Sequence, residues 1–98
     1  LRVITVKGVS MKYLMIRHNV QDYDEWKTVY DAQEKMRIDY GIKEKYVLHK
    51  IDSPNELTIL FEVDDVEKAK EFMHSPDLKE AMQKAGVLTK PDIFFLKG

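Results

Sequence analysis

The chain has 98 residues, the length of one domain with one core. Sixteen basic and seventeen acidic residues leave a formal charge of −1, which gives no electrostatic footing for nucleic acid or an anionic membrane. There is no cysteine, so disulfides and thiolate metal sites are excluded and a reducing, cytoplasmic setting is expected. No apolar run approaches the ~20 residues that span a bilayer.

The opening "LRVITVKGVS" lacks the apolar core and cleavage site of a signal peptide. Residues 1–10 read as an N-terminal extension or cloning remnant ahead of a start at Met11, or else as an extra edge strand, since "RVITV" is rich in β-branched residues. The domain proper is expected over residues 11–98. "MKYLMIRHNV" predicts a strand that is apolar on both alternations. Leu14, Ile16 and His18 face one way, and Tyr13, Met15 and Arg17 the other.

"QDYDEWK" predicts a helix start, with Asp22 as N-cap and Glu25 three residues on as in a capping box. At about 100° per residue, Tyr23, Trp26, Val29, Tyr30, Met36 and Tyr40 form one stripe, and Gly41 closes the helix. "IKEKYVLHKI" and "ELTILFEV" predict two strands joined at "DSPN". "DDVEKAKEFM" predicts a helix capped by Asp64 with Glu67 following. "SPDLKEAMQKAG" predicts another, with Ser75 as cap, Pro76 in the first turn and Gly86 as terminator. "DIFFLK" is the last strand.

This order is the split βαββαβ of a ferredoxin-like α+β fold, an antiparallel sheet with helices on one face. Helices cover only that face, yet the strands are apolar on both. Leu57, Ile59, Phe61 and Val63 oppose Leu60 in the third strand, and Ile93 and Phe95 oppose Phe94 and Leu96 in the last. A bare apolar sheet is a patch that soluble monomers seldom carry. The expected solution is a homodimer through the sheet face opposite the helices.

Gln33 and Arg37 are four residues apart and fall within the arc of Trp26, Tyr30 and Tyr40. A guanidinium in a dry core costs several kcal/mol unless it is paired. The placement therefore predicts a cavity lined by Tyr30, Gln33 and Arg37, or else an Arg37 that snorkels to water beside an acid such as Glu62. His18 shares its alternation with Leu14 and Ile16. It is either a base or hydrogen-bonding group facing that cavity, or a core histidine satisfied by a backbone carbonyl. Trp26 and Tyr30 are core or substrate platform. His49 is expected at the far end of the sheet, or lining the same cavity. His74 is expected as a helix C-terminal cap. Three scattered histidines without cysteine make no metal site.

"RHNVQDYDEWKTVYD", "FEVDDVEKAKEFMHSPDLKEAMQKAGV" and "KPDIFFL" resemble a family of small dimeric α/β-barrel proteins similar to the antibiotic biosynthesis monooxygenases, often labelled monooxygenase-like or cyclase-like. The resemblance spans residues 11–97. It implies a cavity between sheet and helices able to hold a small aromatic molecule, and oxidation of phenols by dioxygen without a cofactor. It carries over His18, Trp26 and Arg37. His18 would then be the catalytic base and Arg37 the catalytic oxyanion partner, with Trp26, Tyr30 and Gln33 binding substrate. A non-catalytic, small-molecule-binding or stress-associated dimer is the alternative, and a haem-binding or haem-degrading relative is a second alternative. Related branches degrade haem through an Asn, a Trp and a helical His. Asn19, Trp26 and His74 do not match that pattern by position, so it is not carried over.

Overall fold

The computed structural model describes residues 11–98, so the expectations placed on residues 1–10 lie outside the described residues. The elements run β1 (Lys12–Asn19), α1 (Tyr23–Ala32), α2 (Glu34–Asp39), β2 (Ile42–Lys50), β3 (Ser53–Val63), α3 (Val66–Met73), α4 (Pro76–Lys84) and β4 (Asp92–Lys97). The four strands form an antiparallel sheet in the order β2-β3-β1-β4, as the βαββαβ reading predicts. Leu14 pairs with Phe61 and with Phe95, so three strands present large apolar residues to the helix side at one level.

The core sits between that face and the helices. Leu14, Ile42, Leu57, Ile59, Phe61 and Val63 from the sheet meet Trp26, Tyr30, Ala69 and Phe72 from the helices, all buried. The opposite face carries Tyr46, Leu48, Phe94 and Leu96 at 42–55% exposure, with the half-buried Tyr13, Met15 and Leu60 between them. Among the described residues no helix is long and apolar enough to cross a membrane.

Three local features depart from the sequence expectations. The first helix is not continuous: it breaks at Gln33, between α1 and α2. The turn before β3 is tighter than "DSPN". Ile51 and Asp52 make it, and Ser53, Pro54 and Asn55 extend the strand. Asp65 rather than Asp64 caps α3, its carboxylate accepting from the N–H groups of Glu67 and Lys68. Asp64 instead approaches Gly41, whose positive φ of 73° is the left-handed turn that ends the preceding helix.

The strand pairing of β2 also contains a bulge. Glu44 lies opposite Phe61 and Tyr46 opposite Leu60, leaving Lys45 as the extra residue. Glu44, in register with Ile42, lies on the helix side, and the bulge turns Tyr46 and Leu48 to the outer face. An unbulged strand would send Tyr46 and Leu48 inward with Ile42 and Glu44, because side chains alternate with period two.

Candidate functional site

Between the sheet and its helices lies a cavity of about 70 Å³. Its sheet wall is Leu14, Ile16, His18, Ile42, Ile59 and Phe61. The α1–α2 wall is Trp26, Val29, Tyr30, Gln33 and Arg37. Phe72 and Met73 of α3 with Leu78, Ala81, Met82 and Ala85 from α4 and its end form the third wall of a space that stays partly open. His18, Trp26, Tyr30, Gln33 and Arg37 therefore share one space.

The helix break explains why Arg37 can be inside. At the break the Tyr30 carbonyl accepts from the Gln33 N–H at 3.1 Å and from the Arg37 guanidinium, Nη1 donating at 2.6 Å. The Arg37 guanidinium carbon also lies 3.7 Å from the centroid of the Tyr30 ring, a close cation–π contact. Tyr30 in turn stacks on Trp26 with centroids 4.6 Å apart, and its hydroxyl donates to Glu44 Oε1 at 2.8 Å. Glu44 is two residues from Ile42 in regular register, which puts it on the side where it can accept. Burial raises the Tyr30 phenol above its ordinary range, so it stays protonated and holds that bond.

Arg37 is 5% exposed, so it does not snorkel. The proposed acid, Glu62, pairs with Lys45 at 3.5 Å instead. Among the described residues no carboxylate lies within ion-pair distance of the Arg37 guanidinium. Its charge is met by one carbonyl and one ring face, which leaves the cavity with an uncompensated positive charge.

His18 is 7% exposed, and neither ring nitrogen has a hydrogen-bond partner among the described residues. It is not the carbonyl-satisfied core histidine. Its ring meets Trp26 edge-on, centroids 5.9 Å apart, rather than bonding Arg37 or Tyr30. Burial lowers its pKa from 6.5 to about 4, so the imidazole is neutral near neutrality. Gln33 Oε1 is likewise buried without a partner. Unpaired buried polar atoms are uncommon and costly, and three of them surround this one cavity.

The remaining candidates sit elsewhere. His49 is exposed and stacks on Tyr23, centroids 4.9 Å apart, outside the cavity. His74 caps α3, its Nδ1 2.8 Å from the Lys70 carbonyl oxygen. Among the described residues no three His, Asp or Glu side chains gather as a metal site. A polar groove at the strand ends sets Arg17, Lys50 and Lys90 against Glu56 and Asp92, and Lys50 already pairs with Glu56 at 3.7 Å. Sequence reasoning missed Glu44 and the α3–α4 wall. The 3–4 spacing of Leu78, Ala81, Met82 and Ala85 was the available signal for the latter.

No family model matches the chain, and no curated protein matches it. Solved structures do. A candidate antibiotic biosynthesis monooxygenase from Bordetella bronchiseptica superposes with a TM-score of 0.74 at 14% identity, covering 90% of this chain and 96% of its own. SnoaB, a cofactor-independent oxygenase from Streptomyces nogalater, gives 0.68 at 13% identity, with 88% and 92% covered. A nipsnap family protein with unknown function from Agrobacterium tumefaciens gives 0.65 at 11% identity, with 90% and 87% covered. At such identities the likeness establishes the shared fold, which hosts more than one activity.

Proposed function

We propose that the cavity binds a small phenolic or enolic molecule as its anion, and that the protein is an antibiotic-biosynthesis-monooxygenase-like enzyme. One observation carries this reading: a buried guanidinium without a carboxylate partner shares a small cavity with an unpartnered, neutral imidazole. The ligand hydroxyl gives its proton to a His18 ring nitrogen, and Arg37 holds the resulting oxyanion. Lone imidazolium is disfavoured in this space because it has no counter-charge. The phenolate supplies one, so transfer converts a neutral pair into an ion pair beside Arg37. Trp26 and the edge of the Tyr30 ring, whose faces are taken by Trp26 and Arg37, line the place for the ligand ring, and Gln33 Oε1 accepts from a second donor on the ligand. The electron-rich anion is then positioned to react with dioxygen or to rearrange, without metal, flavin or haem. The fold likeness to a cofactor-independent oxygenase supports this class of chemistry.

4-Nitrophenol tests the reading, because its anion absorbs apart from its acid. Bound 4-nitrophenol is expected to ionise at lower pH than the free compound, with the shift lost in Arg37→Met. An ionisation displaced to higher pH, or no binding at millimolar concentration, would sink the anion site. Oxygen uptake with phenolic substrates separates turnover from a binding-only dimer. The second reading has its own support, since Arg37 is already engaged by the Tyr30 carbonyl and nothing orients His18. Haem is disfavoured by the cavity size and by His74, which is held at the α3 cap away from the lining.

The protein is further proposed to be a cytoplasmic homodimer, stacked through the outer sheet face. Tyr46, Leu48, Phe94 and Leu96 support it, being large, apolar, exposed and contributed by both edge strands. Sedimentation at micromolar concentration is expected to give twice the chain mass, and Leu60→Glu, central on that face, to give monomer. A monomeric unaltered chain would end the proposal.

A further inference from the structure

The cavity, at about 70 Å³, is roughly half the volume of the engineered apolar cavity of about 150 Å³ known to admit benzene. A ring that is to lie fully inside, rather than protrude through the open side, displaces a wall, and the three walls differ in how easily they yield. The sheet wall is fixed: Leu14, Ile42, Ile59 and Phe61 are 0–2% exposed and locked by strand pairing on β1, β2 and β3. The α1–α2 wall is tied by the Arg37 bond to Tyr30, the Tyr30 bond to Glu44 and the Trp26 stack.

The α3–α4 wall has no such ties. Met73, Leu78 and Met82 are half-buried and apolar, and only Ala81 of α4 is fully inside. Methionine has three rotatable side-chain bonds and adapts its shape at small cost. The backbone behind this wall is pinned at both ends. Ser75 joins α3 to α4, its hydroxyl donating to the Phe72 carbonyl and accepting from the Leu78 N–H. Past α4, Val87 bridges Val20, with Gln21 N–H donating to the Gly86 carbonyl and Leu88 N–H to that of Asn19. The side chains can yield while the helix stays in place.

We propose that Met73, Leu78 and Met82 are the specificity determinants of the site, a gate that admits a single aromatic ring and rejects fused two-ring compounds. This deepens the reading of the cavity as a small-aromatic site and rests on it. The gate is independent of the polar groups, so apolar probes test it separately. Benzene and naphthalene are the probes, and Trp26 is the reporter. It is the chain's one tryptophan and lines the cavity, so its indole N–H resonance should shift when a ring enters.

The unaltered protein is expected to bind benzene and to show no naphthalene binding. Met82→Ala and Met73→Ala, which remove the side chain beyond Cβ, should bind naphthalene at least about tenfold more tightly, the scale on which a methylene's worth of space discriminates. Ala81→Leu fills the cavity from the same wall and should abolish benzene binding. That third variant decides the matter if a methionine variant fails to fold. Equal binding of both probes by the unaltered chain overturns the proposal, as does absence of benzene binding. So does naphthalene rejection by both methionine variants while benzene still binds, or benzene affinity unchanged in Ala81→Leu. A failed 4-nitrophenol titration alongside size-dependent benzene binding would remove the anion chemistry and leave the gate.

Discussion

Arg37→Ala is expected to lower unfolding free energy by about 3 kcal/mol and to abolish binding of 4-nitrophenolate. The stability loss has three sources. A hydrogen bond from a charged donor is worth ~1.5–3 kcal/mol, and the Tyr30 carbonyl would lose it at the helix break. The cation–π contact at 3.7 Å adds ~0.5–2 kcal/mol, and truncation leaves space beside the Tyr30 ring. Against these stands the relief of burying a charge that has no carboxylate partner, which holds the sum to the middle of the range. Arg37→Met separates the two roles. It keeps the apolar stem and removes both the charge and its desolvation cost, so it should cost only about 1 kcal/mol. Binding should be lost as fully as in Arg37→Ala. Urea unfolding and the 4-nitrophenol titration read these separately. A folded Arg37→Met that still binds the phenolate would leave Arg37 as a helix-break cap and nothing more.

The sequence made one side of this site legible and concealed the other. His18 could be placed on the helix face because β1 pairs with β3 and β4 without irregularity, so simple alternation from Leu14 holds along the strand. Trp26, Tyr30, Gln33 and Arg37 could be grouped because the phase of a helix survives a one-residue break well enough to keep them on one side. The break itself carried no signal, since Gln33 is flanked by good helix formers. What permits it is tertiary, the Arg37 guanidinium taking over the Tyr30 carbonyl. The bulge at Lys45 was equally silent, and it reverses the side to which Tyr46 and Leu48 point. Asp64 and Asp65 are chemically equal as caps. The second caps α3 because the turn after Gly41 draws the first away.

The same burial that isolates His18 makes the fold sensitive to acid. In the folded chain the imidazole titrates at about 4, against 6.5 when unfolded, because the charged form would be desolvated without a partner. Between those values the unfolded chain binds the proton and the folded chain does not. Stability from this residue is therefore complete above pH 6.5 and is lost as the pH falls toward 4. At 1.36 kcal/mol per pH unit, the gap corresponds to about 3 kcal/mol over that window. Carboxylates also titrate near its lower end, so the informative quantity is a difference between proteins. His18→Leu should start lower, from imperfect packing, yet lose about 3 kcal/mol less than the unaltered protein between pH 6.5 and pH 4. Urea titrations at four or five pH values measure this directly. A bound phenolate should act in the same sense, because its negative charge gives the imidazolium the partner it lacks. With saturating 4-nitrophenol, the acid loss assigned to His18 should shrink and its titration should move up toward neutrality. Parallel pH profiles for the two proteins would mean that His18 is protonated as readily in the folded chain as in the unfolded one. In that case the ring would be solvated rather than held dry in the cavity, and the burial argument that carries His18 would have to be given up.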